Sequence, residues 1–180
     1  MKEVLLIIDF GSQYTQLIAR RVRELNVCSQ IVPFNKFKGL EDNVKGVILS
    51  GGPASVNDLT SPNIDLSLIR KKVPLLSLCY GAQLIAKNVG GKVSVSSFRE
   101  YGRSNLKIVS KSVIFSGLKD NSQVWMSHAD TILDLPIGCQ ILASTDDVKI
   151  AAFSIENEKT FGFQFHPEVY HTTYGKDMLF

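Results

Sequence analysis

Cysteine is scarce in this 180-residue chain, and the three present do not pair. Cys28, Cys79 and Cys139 are odd in number, widely spaced and free of any C-x-x-C arrangement. That argues against a disulfide framework or a zinc site, and for a reducing compartment, the cytoplasm by default. Long apolar runs are lacking too. The N-terminal run from Val4 to Ile8 stops at Asp9, too short for a signal peptide or a membrane span. No basic cluster occurs, and a net charge of +3 gives no reason to expect nucleic acid. Repeats, low-complexity tracts and linkers are also missing. With 44% hydrophobic and 21% charged residues, the chain fits one soluble globular domain over residues 1–180.

What is present starts as an alternation of strands and helices. Val4 to Asp9 reads as a buried strand, and Ser12 as the N-cap of a helix from Tyr14 to Leu25. Cys28 to Pro33 and Gly46 to Ser50 read as strands, and Ile64 to Lys71 as a helix leading into a strand that ends at Cys79. Such β-α-β alternation predicts a parallel sheet with helices on both faces. After Gly90-Gly91 the texture changes. Short runs at 92–96, 106–109, 113–115, 123–126, 141–144, 150–154 and 160–165 predict antiparallel strands or hairpins added to that sheet. Tyr174 to Phe180 reads as the start of a helix. Its uncapped apolar end, Met178-Leu179-Phe180, predicts a fragment truncated within its last helix.

The most informative stretch runs from Val73 to Ala86. An apolar strand passes through one cysteine into a helix, with Ser77 two places before Cys79 and Gly81 two places after. That is the layout of a nucleophile elbow, where small neighbours let backbone approach backbone. A helix N-terminus at such a corner favours thiolate over thiol. Standing alone, the pattern also fits a buried structural cysteine.

A second constellation lies at Phe161 to Glu168, where an alternating strand ends in His166 and Glu168. In extended backbone these two share a face, and a cysteine nucleophile needs a base and a group that orients it. By itself this stretch reads as a surface histidine beside an ordinary carboxylate. With Cys79 in the same chain, a Cys79–His166–Glu168 triad is the favoured reading. The third piece, Ser50-Gly51-Gly52-Pro53, follows a strand directly. No Gly-Lys-Ser/Thr follows it, so a Walker loop is ruled out, and a turn of small residues there suits oxyanion donation.

Cys79-Tyr80-Gly81-Ala82-Gln83, Ser50-Gly51-Gly52-Pro53 and Phe165-His166-Pro167-Glu168 together resemble the class I, triad-type glutamine amidotransferases, over residues 4 to 180. The resemblance implies an α/β three-layer sandwich with a central, mostly parallel, mixed sheet of flavodoxin-like type. Further segments resemble the GMP synthetase branch of that family: Ile8 to Tyr14, Arg99-Glu100-Tyr101-Gly102, Val124 to Asp130, and His166 to Thr172. They favour it over the anthranilate, aminodeoxychorismate and carbamoyl-phosphate branches.

Roles follow from the resemblance, position by position. Cys79 would attack the carboxamide of glutamine, and the backbone N–H groups of Gly52 and Tyr80 would hold the oxyanion. His166, oriented by Glu168, would protonate the leaving ammonia and then activate water to release glutamate from the thioester. Gln83 and the backbone at Ser127-His128 match positions that hold the two α-substituents of glutamine. The ammonia would pass to an ATP pyrophosphatase domain that converts XMP to GMP. No Ser-Gly-Gly-Val-Asp-Ser-like loop occurs in the chain, so ATP, magnesium and XMP are expected with a domain absent here. No cofactor or metal is expected for this domain, and a homodimer through the absent part is left open. The chain departs from the family's usual glycine at Ser77 and at Ala129. Cys28, Cys139 and Trp125 read as packing residues. His128, Asp130 and His171 read as plain loop residues, with contact to the synthetase domain an alternative for His128 and Asp130. The reading that competes with an enzyme is a catalytically silent module of the same fold that binds or regulates a partner. A Cys–His peptidase is the more distant one.

Overall fold

The computed structural model describes residues 2–179, without the side chains of 96–100. The side chains of Arg99 and Glu100 and all of Phe180, which figure in the sequence reading, therefore lie outside the described residues. Val4–Asp9 forms β1, flanked by β2 (Ser29–Pro33) and β3 (Val44–Leu49), with β4 (Leu75–Leu78) beyond β3. These strands are parallel, and β4 pairs in parallel with β9 (Thr160–Phe163). From β9 the sheet turns antiparallel, through β8 (Ala152–Ile155), β7 (Cys139–Ser144), β5 (Lys92–Ile108) and β6 (Ser122–Asp134). The nine strands lie in the order β2-β1-β3-β4-β9-β8-β7-β5-β6.

Alternation along the parallel strands feeds two cores. Leu6, Ile8, Val47 and Leu49 face one, which α2 (Tyr80–Asn88) covers with Ala82, Ile85 and Ala86. Ile7, Ile48 and Leu78 face the other, covered by α1 (Thr15–Glu24) through Ile18, Ala19 and Val22 and by α3 (Gly175–Leu179) through Met178. Strands buried on both faces read as near-continuous apolar runs, as β1 does from Val4 to Ile8 and β4 does but for Ser77. Each fully buried Ile or Leu contributes about 1.5–3 kcal/mol. The three-layer sandwich and its mixed sheet match the expected architecture. Among the described residues, no helix is long and apolar enough to cross a membrane.

The structure corrects four local expectations. Ser12 does not cap α1: Tyr14 is the N-cap, and Ser12 Oγ accepts the Tyr14 N–H at 3.0 Å. No α-helix spans 64–71. Only a 3-10 turn forms at Leu66–Leu68, closed by Asp65 Oδ1 accepting the Ser67 N–H, while Lys71 takes φ +63°. The positive φ at Lys71 breaks the helical path, and Pro74 disfavours the α region at the residue before it. Val113–Phe115 is likewise a 3-10 turn rather than a strand. The separate runs at 92–96 and 106–109 are the two ends of one strand, β5. It pairs along β6 through a register shift between Val95 and Glu100. Cross-strand pairing carries its polar middle, where apolar alternation gives no signal.

Candidate active site

Cys79 sits where β4 meets α2, with φ 48° and ψ −108°, a left-handed conformation that costs a non-glycine residue energy. Its N–H donates to Phe163 O at 2.7 Å, which ties the corner to β9. Gly81 is required by close approach. A Cβ there would lie 2.7 Å from Leu49 Cβ and 3.0 Å from the Leu49 and Ser50 carbonyl oxygens. Ser77 is accommodated: it is fully buried, and its Oγ donates to Phe161 O at 2.8 Å. The thiol points toward β6, with Sγ 3.5 Å from Ser127 O.

The sheet places His166 beside Cys79 because β9 neighbours β4. His166 follows β9 by three residues, with its N–H donating to Trp125 O at 2.9 Å and its carbonyl accepting from Thr172 Oγ1 at 2.6 Å. Its Nδ1 lies 2.7 Å from Glu168 Oε1, and both side chains are buried. Glu168 reaches it from a turn after Pro167 rather than from an extended strand, so the expected partnership forms by a different backbone route. Two contacts hold that turn. Arg21 Nε of α1 donates to Glu168 O at 3.0 Å, and a Cβ on Gly175 of α3 would fall 1.9 Å from Pro167 O.

His166 Cε1 and Cys79 Cβ lie 3.4 and 3.5 Å from the point a Cβ on Gly51 would occupy, so the Gly51 turn passes directly beside both side chains. Gly52 is the confined one: Phe10 O would lie 2.7 Å from a Cβ there. Ser50 braces this turn, accepting the Phe10 N–H at 2.9 Å and donating to Gly51 O at 2.8 Å. Tyr80 turns its ring into the core, 5.3 Å from the Phe10 ring, and its hydroxyl donates to Pro62 O. Its backbone N–H is at the first position of α2, where no intrahelical acceptor exists, and Tyr80 is not among the residues that line the cavity.

A cavity of about 560 Å³ opens over Cys79 and His166 and is lined by Gln83, Ser127, His128 and Asp130, with Gly52 and Tyr101 at other points of its wall. That volume suits a small-molecule ligand. Gln83 Nε2 donates to Asp130 O at 2.7 Å, so Gln83 braces β6 as well as lining the cavity. Burial, the largest influence on His166, opposes its charge. The Glu168 charge, together with hydrogen bonds that the ring makes with Cys79 and to Glu168, outweighs it and holds the ring well above the ordinary histidine range. His128 goes the other way. Burial pushes it down to about 4, against the pull of the Asp130 backbone and with help from the charge on His166. The two imidazoles are thus pushed in opposite directions, His166 toward its charged form and His128 toward its neutral one.

Asp130 is the residue that sequence reading undervalued. It is buried in the cavity wall, and Ser55 Oγ donates to its Oδ2. Neither Asp130 nor Ser55 carries a local pattern that marks it, because a loop after β3 and the middle of β6 meet only in the fold. His171 stacks on Trp125 with ring centroids 4.4 Å apart and does not line the cavity.

Comparison with known proteins settles the family. Residues 6–180 match the family model described as glutamine amidotransferase class-I. The chain belongs to the class I glutamine amidotransferases. This amidotransferase domain is 57% identical, over 99% of its length, to the GMP synthase [glutamine-hydrolyzing] of Cytophaga hutchinsonii, and 53% identical to that of Bacteroides fragilis. It spans about a third of each relative, 35% and 36% of their lengths. Among solved structures, it superposes with a TM-score of 0.82 on a protein from Thermoplasma acidophilum assigned to GMP synthase. That pair is 31% identical, over 99% of this chain and 90% of the other. A glutamine amidotransferase from Thermotoga maritima shares the fold, with a TM-score of 0.77 at 24% identity over 94% and 77% of the two chains.

Proposed function

We propose that this amidotransferase domain hydrolyses glutamine to glutamate and ammonia through a glutamyl thioester on Cys79. The observation that carries the reading is the buried His166–Glu168 pair at 2.7 Å, beside a cysteine at a strained strand-to-helix corner. Cys79 gives its thiol proton to His166 as Sγ forms a bond to the carboxamide carbon; the C=O π pair moves onto oxygen, and the N–H groups of Gly52 and Tyr80 receive that negative charge. His166 delivers its proton to the leaving nitrogen as the C–N bond breaks, and ammonia departs. The same ring then takes a proton from water, whose oxygen adds to the thioester carbon, and glutamate leaves with the thiol restored. One water is consumed in the cycle. Glu168 keeps the proton on Nδ1, so that Nε2 does the exchange.

The cavity's polar groups suit an α-amino acid. The Asp130 carboxylate offers a counter-charge for an α-ammonium group, and Gln83 and the Ser127–His128 backbone offer hydrogen bonds to the α-substituents. This chemistry calls for no metal or cofactor in the domain. A reducing cytoplasm suits an unpaired cysteine nucleophile.

We further propose that the ammonia serves a synthetase domain that makes GMP from XMP with ATP and magnesium. Relatives named GMP synthase, 50–57% identical over this domain, support the assignment. Glutamate release from glutamine, followed beside Cys79→Ala, tests the hydrolysis. Turnover that depends on Cys79 supports it, and release by Cys79→Ala at the unsubstituted rate would sink it. Supplying the synthetase domain, ATP and XMP tests the second step: GMP formed from glutamine should depend on Cys79, while GMP formed from added ammonia should not.

A further inference from the structure

The hydrogen bond to Glu168 fixes His166 at one atom, Nδ1. The hydrogen bonds with Glu168 and Cys79 act in the plane of the ring and resist its tilting only weakly, and a tilt turns Nε2 off Cys79. The Gly51 side supplies no side chain to stop that motion. The ring of Tyr14 supplies the contact instead. It meets His166 edge-on, with centroids 5.1 Å apart and planes at 70°, inside the range of favourable aromatic pairs.

Tyr14 is itself held firmly at the start of α1. Its carbonyl accepts the Ile18 N–H at 2.9 Å, and its own N–H donates to Ser12 Oγ. The approach to it is an Asx turn. Asp9 Oδ1 accepts the Gly11 N–H at 2.9 Å and the Thr15 hydroxyl at 2.7 Å. Tyr14 is half-buried and lines the cavity, so its ring closes part of the wall around the base.

We propose that Tyr14 is a positioning residue for the general base, its ring holding the His166 imidazole in the orientation that aims Nε2 at Cys79 and the leaving nitrogen. The claim rests on the glutaminase reading above for its kinetic consequences, but not for its structural one. The contact is ring to ring, so the phenol oxygen is dispensable and the aromatic plane is not.

The test compares Tyr14→Phe with two non-aromatic replacements, Tyr14→Leu and Tyr14→Met, in the full-length chain. Steady-state glutamine hydrolysis gives one readout. The other is the downfield proton resonance of His166 Nδ1–H, which needs no turnover. Tyr14→Phe should stay within about twofold of the unsubstituted kcat. Both non-aromatic variants should lose about tenfold in kcat with KM changed less than about twofold, a fraction of what a positioned base supplies. In both, the Nδ1–H resonance should broaden or vanish at an unchanged melting temperature. Full kcat with a sharp resonance in the non-aromatic variants overturns the proposal. A rise in KM alone overturns it too, making Tyr14 a substrate contact, as does a Phe variant as impaired as the others. If the unsubstituted chain shows no Cys79-dependent glutamate release, the glutaminase reading fails by itself. The resonance then decides whether Tyr14 orders the ring.

Discussion

His166 Nδ1 and Glu168 Oε1 meet at 2.7 Å in a place that solvent does not reach. The second carboxylate oxygen, Oε2, is buried with no hydrogen-bond partner among the described residues, so the carboxylate is directed almost wholly at the imidazole. Such a pair fixes the tautomer of the neutral ring and favours its charged form against the burial that opposes it.

Glu168→Gln removes the charge and leaves burial to dominate. The His166 pKa should then fall below its value in the unsubstituted domain, and glutamine hydrolysis should drop by about a hundredfold or more. An NMR titration of the His166 ring checks the sign. A pKa unchanged or raised in Glu168→Gln contradicts the assigned cause.

Cys79 holds φ 48°, where a Cβ is unfavourable and glycine is not. Cys79→Gly should therefore unfold at higher urea than Cys79→Ala, by a difference of about 1–2 kcal/mol in stability. Both should be inactive. An alanine variant as stable as the glycine one would show that the corner stores no strain.

His128 gives the domain an acid sensitivity of definite sign. Its folded pKa of about 4 lies below the ordinary 6.5, so between those values the unfolded chain binds a proton that the folded chain refuses. Stability should fall as pH drops from 6.5 to 4, by on the order of 3 kcal/mol from this group. His166 acts oppositely: its raised pKa contributes stability below 6.5 that is lost as pH rises through the folded value. Urea unfolding of His128→Gln across pH 4–7 should show a flatter acid limb than the unsubstituted domain. An identical limb would remove His128 from the account.

The parts of the molecule that sequence reading captures are those where a local pattern and the fold demand the same thing. Val4–Ile8 is apolar throughout because both faces are covered, Leu75–Leu78 is apolar but for Ser77, whose hydroxyl is satisfied by Phe161 O, and Gly81 must be glycine because Leu49 and Ser50 press on it. Cys79, His166 and Glu168 are legible as a set through residue type and order along the chain. Their proximity is a property of β4 pairing with β9, which no spacing in the sequence encodes. Asp130, Ser55 and Tyr14 escape for the same reason: each acts through a partner distant in sequence, Asp130 with Ser55 and Tyr14 with His166. The polar middle of β5 escapes because hairpin pairing, not burial, makes it a strand.

The central claim is the covalent intermediate, and intact-protein mass spectrometry of samples acid-quenched during glutamine turnover tests it most directly. The account expects a fraction of the protein to carry the mass of one glutamyl group, mapped by peptide digestion to Cys79 and absent in Cys79→Ala. Glutamate released at a steady rate with no adduct on Cys79, and undiminished in Cys79→Ala, would contradict it.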